Sequence, residues 1–272
     1  MIRDPIKKRT SILLNALSLI ILFAAYDAVA YVKHSKALGG NPENRTIPTF
    51  SQIYRNGVIR AFTFDKETER RWVTRDSWAT ISRLLVGFFI SIVIAVPIGI
   101  LTGCFRTLKA LFYIPIVLLS KIAPTAVLPI FYLTVGTDYP LFWSLIVISV
   151  APILAHSIQL AIEDIPDHHI SQAYCLGGCT SEIIWDVVFK QTIPKIIDTV
   201  RLQVGPAIVA LIAAELYCAS AGYGYTMNIM KRNATLEVVW LYVTLLVILG
   251  LFSDRFLIFL RQKICSGYEE RR

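Results

Sequence analysis

Six apolar runs, each roughly twenty residues long, decide what this chain can fold into, because a helix of that length crosses about 30 Å of hydrocarbon. They fall at 12–32, 80–103, 110–133, 141–163, 199–220 and 237–260. Inside lipid a backbone must satisfy its own N–H and C=O groups, so the runs read as helices. The short alternating segments of a membrane barrel are absent. The first run is too long for a signal-peptide core, with no clear small-x-small cleavage site after it, and is expected to be retained. The fold class is therefore all-α, a polytopic helical membrane protein with about six transmembrane helices. Composition agrees: 55% of the 272 residues are hydrophobic and 17% charged, where a soluble domain carries about a quarter charged residues.

Four segments follow. Residues 1–33 are a tail and the first helix, 34–79 an external loop with short interfacial helices, 80–263 a five-helix core, and 264–272 a second tail. The net charge of +8 matches the excess of Lys and Arg beside membrane spans. No basic domain points to nucleic acid.

Orientation follows from the same residues. Arg3, Lys7, Lys8 and Arg9 lie at one terminus, and Arg255, Arg261, Lys263, Arg271 and Arg272 at the other. Arg106 and Lys109 mark one short loop, while the loop at Asp138 has no basic residue. Both termini are expected in the cytoplasm. The basic residues of 33–79, from Lys33 to Arg75, pull the other way, but long loops obey the rule less strictly.

The five cysteines, Cys104, Cys175, Cys179, Cys218 and Cys265, avoid the external segment, which argues against a disulfide framework. Cys175 and Cys179 lack a second pair to complete a zinc site, and adjacent His168 and His169 point about 100° apart on a helix. No metal site is expected.

Prolines punctuate the spans at Pro97, Pro115, Pro124, Pro129, Pro152 and Pro206. Each is a place where a helix can bend. Three charges lie inside spans: Arg83, Lys121 and Glu215. An intramembrane charge is costly and usually faces the bundle interior or a water-filled path. Lys121 admits two readings, one attracting an anion into a pathway with Pro124 and Glu215, the other pairing with Glu215 or snorkelling.

The polar stretch 164–197 is the remaining landmark. Asp167 to Leu176 forms a short helix with Ile170, Ala173 and Tyr174 on one face. Gly177-Gly178 supplies a left-handed stop. Thr180 or Ser181 caps the next helix, with Glu182 in its first turn. The product is a short helical knob between two spans, able to grip a soluble partner.

This stretch resembles the coupling loop of permease subunits of bacterial ATP-binding-cassette importers. That loop reads Glu-Ala-Ala, three residues, Gly, nine residues, Ile-x-Leu-Pro. Here Ser171-Gln172-Ala173, Gly177 and Val187-Val188-Phe189-Lys190 take those places. Serine replaces the acid and lysine the proline, so a salt bridge from Ser171 to a partner arginine is ruled out and the loop is expected to rely on packing and Tyr174. Ser82-Arg83-Leu84-Leu85-Val86-Gly87-Phe88, Ala95-Val96-Pro97-Ile98-Gly99, Ile122-Ala123-Pro124-Thr125-Ala126-Val127-Leu128-Pro129, Ala213-Ala214-Glu215, Gly222-Tyr223-Gly224-Tyr225 and Asp254-Arg255 extend the likeness, in order, over 77–263. They resemble the nitrate, sulfonate, taurine and bicarbonate subfamily.

The resemblance implies a type I importer permease fold, with Ser171, Gln172, Ala173, Tyr174, Gly177 and Lys190 meeting the ATPase. It implies two cytoplasmic ATP-binding subunits, a second permease chain expected to be identical, an external binding protein (periplasmic or lipid-anchored) and a bacterial inner membrane with its lipid. ATP and Mg would belong to the ATPase, since no G-x-x-x-x-G-K-[ST] loop is present. The chain itself is expected to be no enzyme and to carry no cofactor: neither His-Glu-x-x-His nor Gly-x-Ser-x-Gly occurs. The solute is expected to be a small anion. The alternative, an ion-coupled transporter or channel without an ATPase, predicts inverted repeats and more intramembrane carboxylates than are seen.

Overall fold

The computed structural model describes residues 72–136, 139–233 and 236–264, together with helical residues scattered over 10–29. Most of the expected first span, the external segment up to 71 and the tail from 265 lie outside the described residues. Every regular element among those described is helical. They are α1 (Trp72–Cys104), α2 (Arg106–Ser120), α3 (Pro124–Val135), α4 (Tyr139–Glu163), α5 (Asp167–Cys175), α6 (Thr180–Cys218), α7 (Tyr223–Arg232) and α8 (Leu236–Ile264). Helices α1, α4, α6 and α8 are each long and apolar enough to cross a membrane, and the bent pair α2 and α3 makes a fifth crossing if counted as one.

Two compact units divide the chain: Met1–Arg71 with Ile229–Val243, and Trp72–Asn228 with Thr244–Arg272. In the smaller unit Tyr26 and Trp240 meet edge to face, ring centroids 5.1 Å apart. The larger unit is built on α4. Its residues Leu141, Leu145, Ile146, Val150, Leu154 and Ile158 are buried, mostly four residues apart, which keeps one broad stripe inside. Lipid is as apolar as leucine, so close packing rather than expulsion from water holds such a stripe.

Small residues on α1 permit that packing. A Cβ on Gly87 would lie 2.7 Å from the Ile146 side chain, on Gly99 2.7 Å from Ile158, and on Gly103 2.9 Å from Ile162. The contacts keep one register along the whole length, so α1 and α4 run parallel. Gly99 and Gly103 are four apart, the spacing by which membrane helices bring their backbones together.

Three expectations are corrected. First, 110–133 is not one helix. It breaks after Ser120, and α3 leaves α2 at 97°. The cause is Pro124: the residue before a proline avoids helical angles, and Ala123 is extended at φ −70, ψ 123. Second, the helix expected to begin at Thr180 or Ser181 is not a separate piece of the polar stretch 164–197 but runs on unbroken into the fifth span. From Thr180 the chain is already α6, so the fifth span's helix starts 19 residues before the expected 199. Its polar residues are absorbed by ion pairs: Lys190 with Asp186, Lys195 with Asp164 at 3.1 Å, and Asp198 with Arg261 at 3.0 Å. Third, residues 72–79, expected in the external loop, are the first turns of α1.

Candidate functional site

The knob is a short helix and a glycine reversal tied together by backbone hydrogen bonds. Asp167 starts α5, and the Ser171 hydroxyl donates to the Asp167 carbonyl at 2.9 Å. Ser171 therefore lies one turn inside the helix and caps nothing. At the far end the chain reverses through Gly177, at φ +86. The Gly178 N–H donates to the Ala173 carbonyl (3.2 Å) and the Gly177 N–H to Tyr174 (3.0 Å). These two bonds satisfy carbonyls that a helix end leaves bare. Cys179, rather than Thr180 or Ser181, then caps α6, because the Glu182 carboxylate reaches back to its N–H at 3.0 Å.

The first turns of α6 hold a feature without sequence signal: Ile183–Phe189 is π-helical. Such turns are rare and gather at functional sites. Trp185 and Phe189 stack there at 4.8 Å. The knob presents an apolar outer surface, with Tyr174 49%, Leu176 89% and Trp185 63% exposed. Gln172 is exposed and Ala173 half-buried. Lys190 pairs with Asp186 one turn back. Beneath α5, a cavity of about 520 Å³ is lined by Lys109, Glu163, Ile170, Tyr174 and Ile183, among others. Leu176 and Trp185 are the members the sequence reading did not single out.

At the other end of α6 a polar cluster closes on itself. The Arg83 guanidinium donates to Glu215 at 3.0 Å and to the Ala221 carbonyl at 2.6 Å. The Thr80 hydroxyl lies 3.0 Å from both Glu215 oxygens, and the Gly224 N–H donates to one at 3.0 Å. Phe142 lies 4.2 Å from the guanidinium. Beside it, buried Asp76 accepts from the Gly222 N–H (3.1 Å) and from Thr226. Gly222 sits at φ +128, and a Cβ there would fall 2.5 Å from a Glu215 oxygen, so the 219–222 turn folds directly over the carboxylate. Of the readings open for Lys121, the pairing with Glu215 is not formed: the cation on Glu215 is Arg83.

Lys121 stands elsewhere, in the turn between α2 and α3, exposed beside Pro124, which opens α3. The three residues grouped as a pathway are thus not together: Lys121 and Pro124 share the break, and Glu215 is buried among α1, α6 and the 219–224 turn.

Known proteins place this architecture. The family model described as the binding-protein-dependent transport system inner membrane component matches residues 95–265. A probable ABC transporter permease protein of Brucella melitensis biotype 1 is 30% identical over 183 residues, 67% of this chain and 74% of its own. The bicarbonate transport system permease protein CmpB of Synechococcus elongatus is 28% identical, covering 68% of this chain and 67% of that one. The taurine transport system permease protein TauC of Escherichia coli is 22% identical, covering 71% and 70%. Among solved structures, an inward-facing MetNI methionine ABC transporter superposes with a TM-score of 0.60 at 20% identity, covering 71% of this chain and 96% of that one. At that identity the likeness is one of fold.

Proposed function

The chain belongs to the binding-protein-dependent transport inner-membrane family, in its nitrate, sulfonate, taurine and bicarbonate permease branch, and from that premise we propose that it forms the pathway by which an ATP-driven importer moves a small anion. The observation that supports this reading best is the knob. An apolar surface of Tyr174, Leu176 and Trp185, braced on both sides by satisfied helix ends, sits on the connection between two membrane helices. Large exposed apolar groups clustered together mark a partner surface.

The partner is an ATP-binding subunit, two per complex, carrying the ATP and Mg. Two permease chains, identical in this reading, stand side by side in the bacterial inner membrane, and an external protein delivers the solute. Nucleotide-driven closure of the ATPases pushes the knobs, and α4 and α6 transmit the push. To switch the bundle from one access state to the other, nucleotide must favour the second by about 5 kcal/mol. For the solute, support comes from the relatives named for bicarbonate, taurine and nitrate and from Lys121 at the α2–α3 break. Half-helix ends at a break inside a membrane protein serve ion and solute sites elsewhere.

The test is reconstitution with the ATPase and candidate binding proteins. ATP-dependent uptake of a small anion, competed by its congeners, supports the reading. Uptake that needs no ATPase refutes it.

A further inference from the structure

A polar row on α4 is unused by the function described so far. His156, Gln159 and Glu163 recur on α4 at intervals of three and four, which puts them on one helix face. That face looks toward α2. Glu163 pairs with Lys109 at 2.8 Å, and the His156 ring lies 5.8 Å from Tyr113, edge to face. The Gln159 amide donates to Glu163 at 2.8 Å. This bond commits the amide NH₂ to the carboxylate.

Two groups are then left over. Gln159 is 0% exposed, and its Oε1 has no partner among the described residues. Nor has the buried Nδ1 of His156. An unpaired polar atom in a buried site costs about 1–3 kcal/mol, and in hydrocarbon no lipid group relieves it. Two such atoms on adjacent turns call for a hydrogen-bonding ligand small enough to enter the seam.

The surroundings name it. Below the row lies the 520 Å³ cavity, whose wall includes Lys109 and Glu163. Above it lies a second cavity of about 490 Å³, lined by Ile116, Leu119, Pro152 and Ala155 and otherwise apolar apart from Ser144 and the Trp143 indole. Polar cavities hold water and apolar ones stay dry. The helix that closes the seam is loosely held: Ile116 is the one buried residue of α2, and Tyr113 is 42% exposed.

We propose that the α2–α4 seam is a wetted wall of the solute pathway, with water entering from the knob cavity as far as His156. Gln159 Oε1 and His156 Nδ1 are its hydrogen-bonding stations. The His156–Tyr113 pair is its constriction, the boundary between the wet half and the dry one. Water held there gives a passing polar solute partners where the rest of the bundle offers hydrocarbon. The inference rests on the import reading for its purpose, but its accessibility measurements do not.

The test is accessibility in the full complex in lipid. In a background with Cys104, Cys175, Cys179, Cys218 and Cys265 replaced by serine, single variants H156C, Q159C, A155C and F252C are exposed to a small charged thiol reagent. Positions 156 and 159 are expected to react about an order of magnitude faster than 155, in the dry cavity, and 252, 69% exposed on the outer apolar surface. Equal rates at all four overturn the proposal. Because Q159C and H156C lie in packed positions, hydroxyl-radical footprinting of the unmodified chain supplies a second measurement: Tyr113 and His156 should be oxidised well ahead of buried Phe142, and protection equal to that of Phe142 overturns the proposal. Gln159→Leu should lower ATP-driven uptake about tenfold while the ATPase still copurifies. If wild-type uptake fails while His156 proves wet, the import reading falls and the seam stands. If uptake succeeds and His156 is dry, the seam falls alone.

Discussion

Truncating Glu215 is the sharpest probe of the packing. Its carboxylate is 0% exposed and holds Arg83, Thr80 and the Gly224 N–H within 3.0 Å. Glu215→Ala removes the acceptor and leaves the guanidinium, itself 7% exposed, buried against Phe142 and Tyr139. One link survives, from Arg83 to the Ala221 carbonyl. Removing one partner of a buried ion pair costs about 3–5 kcal/mol, because the other charge stays uncompensated. At 2–4 °C per kcal/mol for a chain of this size, the melting temperature should fall by about 6–20 °C. Replacing both partners by apolar residues, Arg83→Met with Glu215→Leu, removes the stranded charge and should cost less than the two single changes added together. The assay is thermal unfolding of the purified chain in detergent or nanodiscs. A loss within about 2 °C for Glu215→Ala, or a double variant as costly as the sum, would refute the reasoning.

Three further outcomes follow from other sites. Gly177→Ala should weaken the knob by about 1–2 kcal/mol, since nothing lies within 4 Å of the new Cβ and the left-handed backbone alone resists it; Gly177→Asn should be tolerated, and ATPase copurification reads the difference. Gly99→Leu drives a side chain into Ile158 and the Ala155 carbonyl and should cost at least about 1–3 kcal/mol, seen as a lower melting temperature or failure to assemble. Lys121→Ala should lower anion uptake while leaving the melting temperature unchanged, since the side chain is exposed in a turn; unchanged uptake of every anion tried removes Lys121 from the pathway.

Much of the fold was legible because apolar run length is a direct physical signal. The ends were not. Hydropathy stops the fifth span at residue 199, yet α6 continues down to Thr180, because its polar residues find partners that no linear scan can see. The break at Pro124 carried its signal in the proline itself, though prolines inside α1, α4 and α6 leave those helices continuous. Arg83 stands three residues into its span and Glu215 five before the end of another, so matching depths would have paired them. Lys121, near the middle of its run, was the wrong depth. Gln159 and His156 give little signal because a lone amide and a lone imidazole do not interrupt the apolar run 141–163. The π-helical turn has no local signal at all.

Leu176, 89% exposed at the tip of the knob, is the place to ask what the knob touches. A photo-crosslinking residue at position 176, activated in cells, should capture one major partner. That partner should be an ATP-binding subunit, and the crosslink should change with nucleotide state. Capture of no ATPase at all, or labelling of position 176 by reagents confined to the cell exterior, would contradict the account.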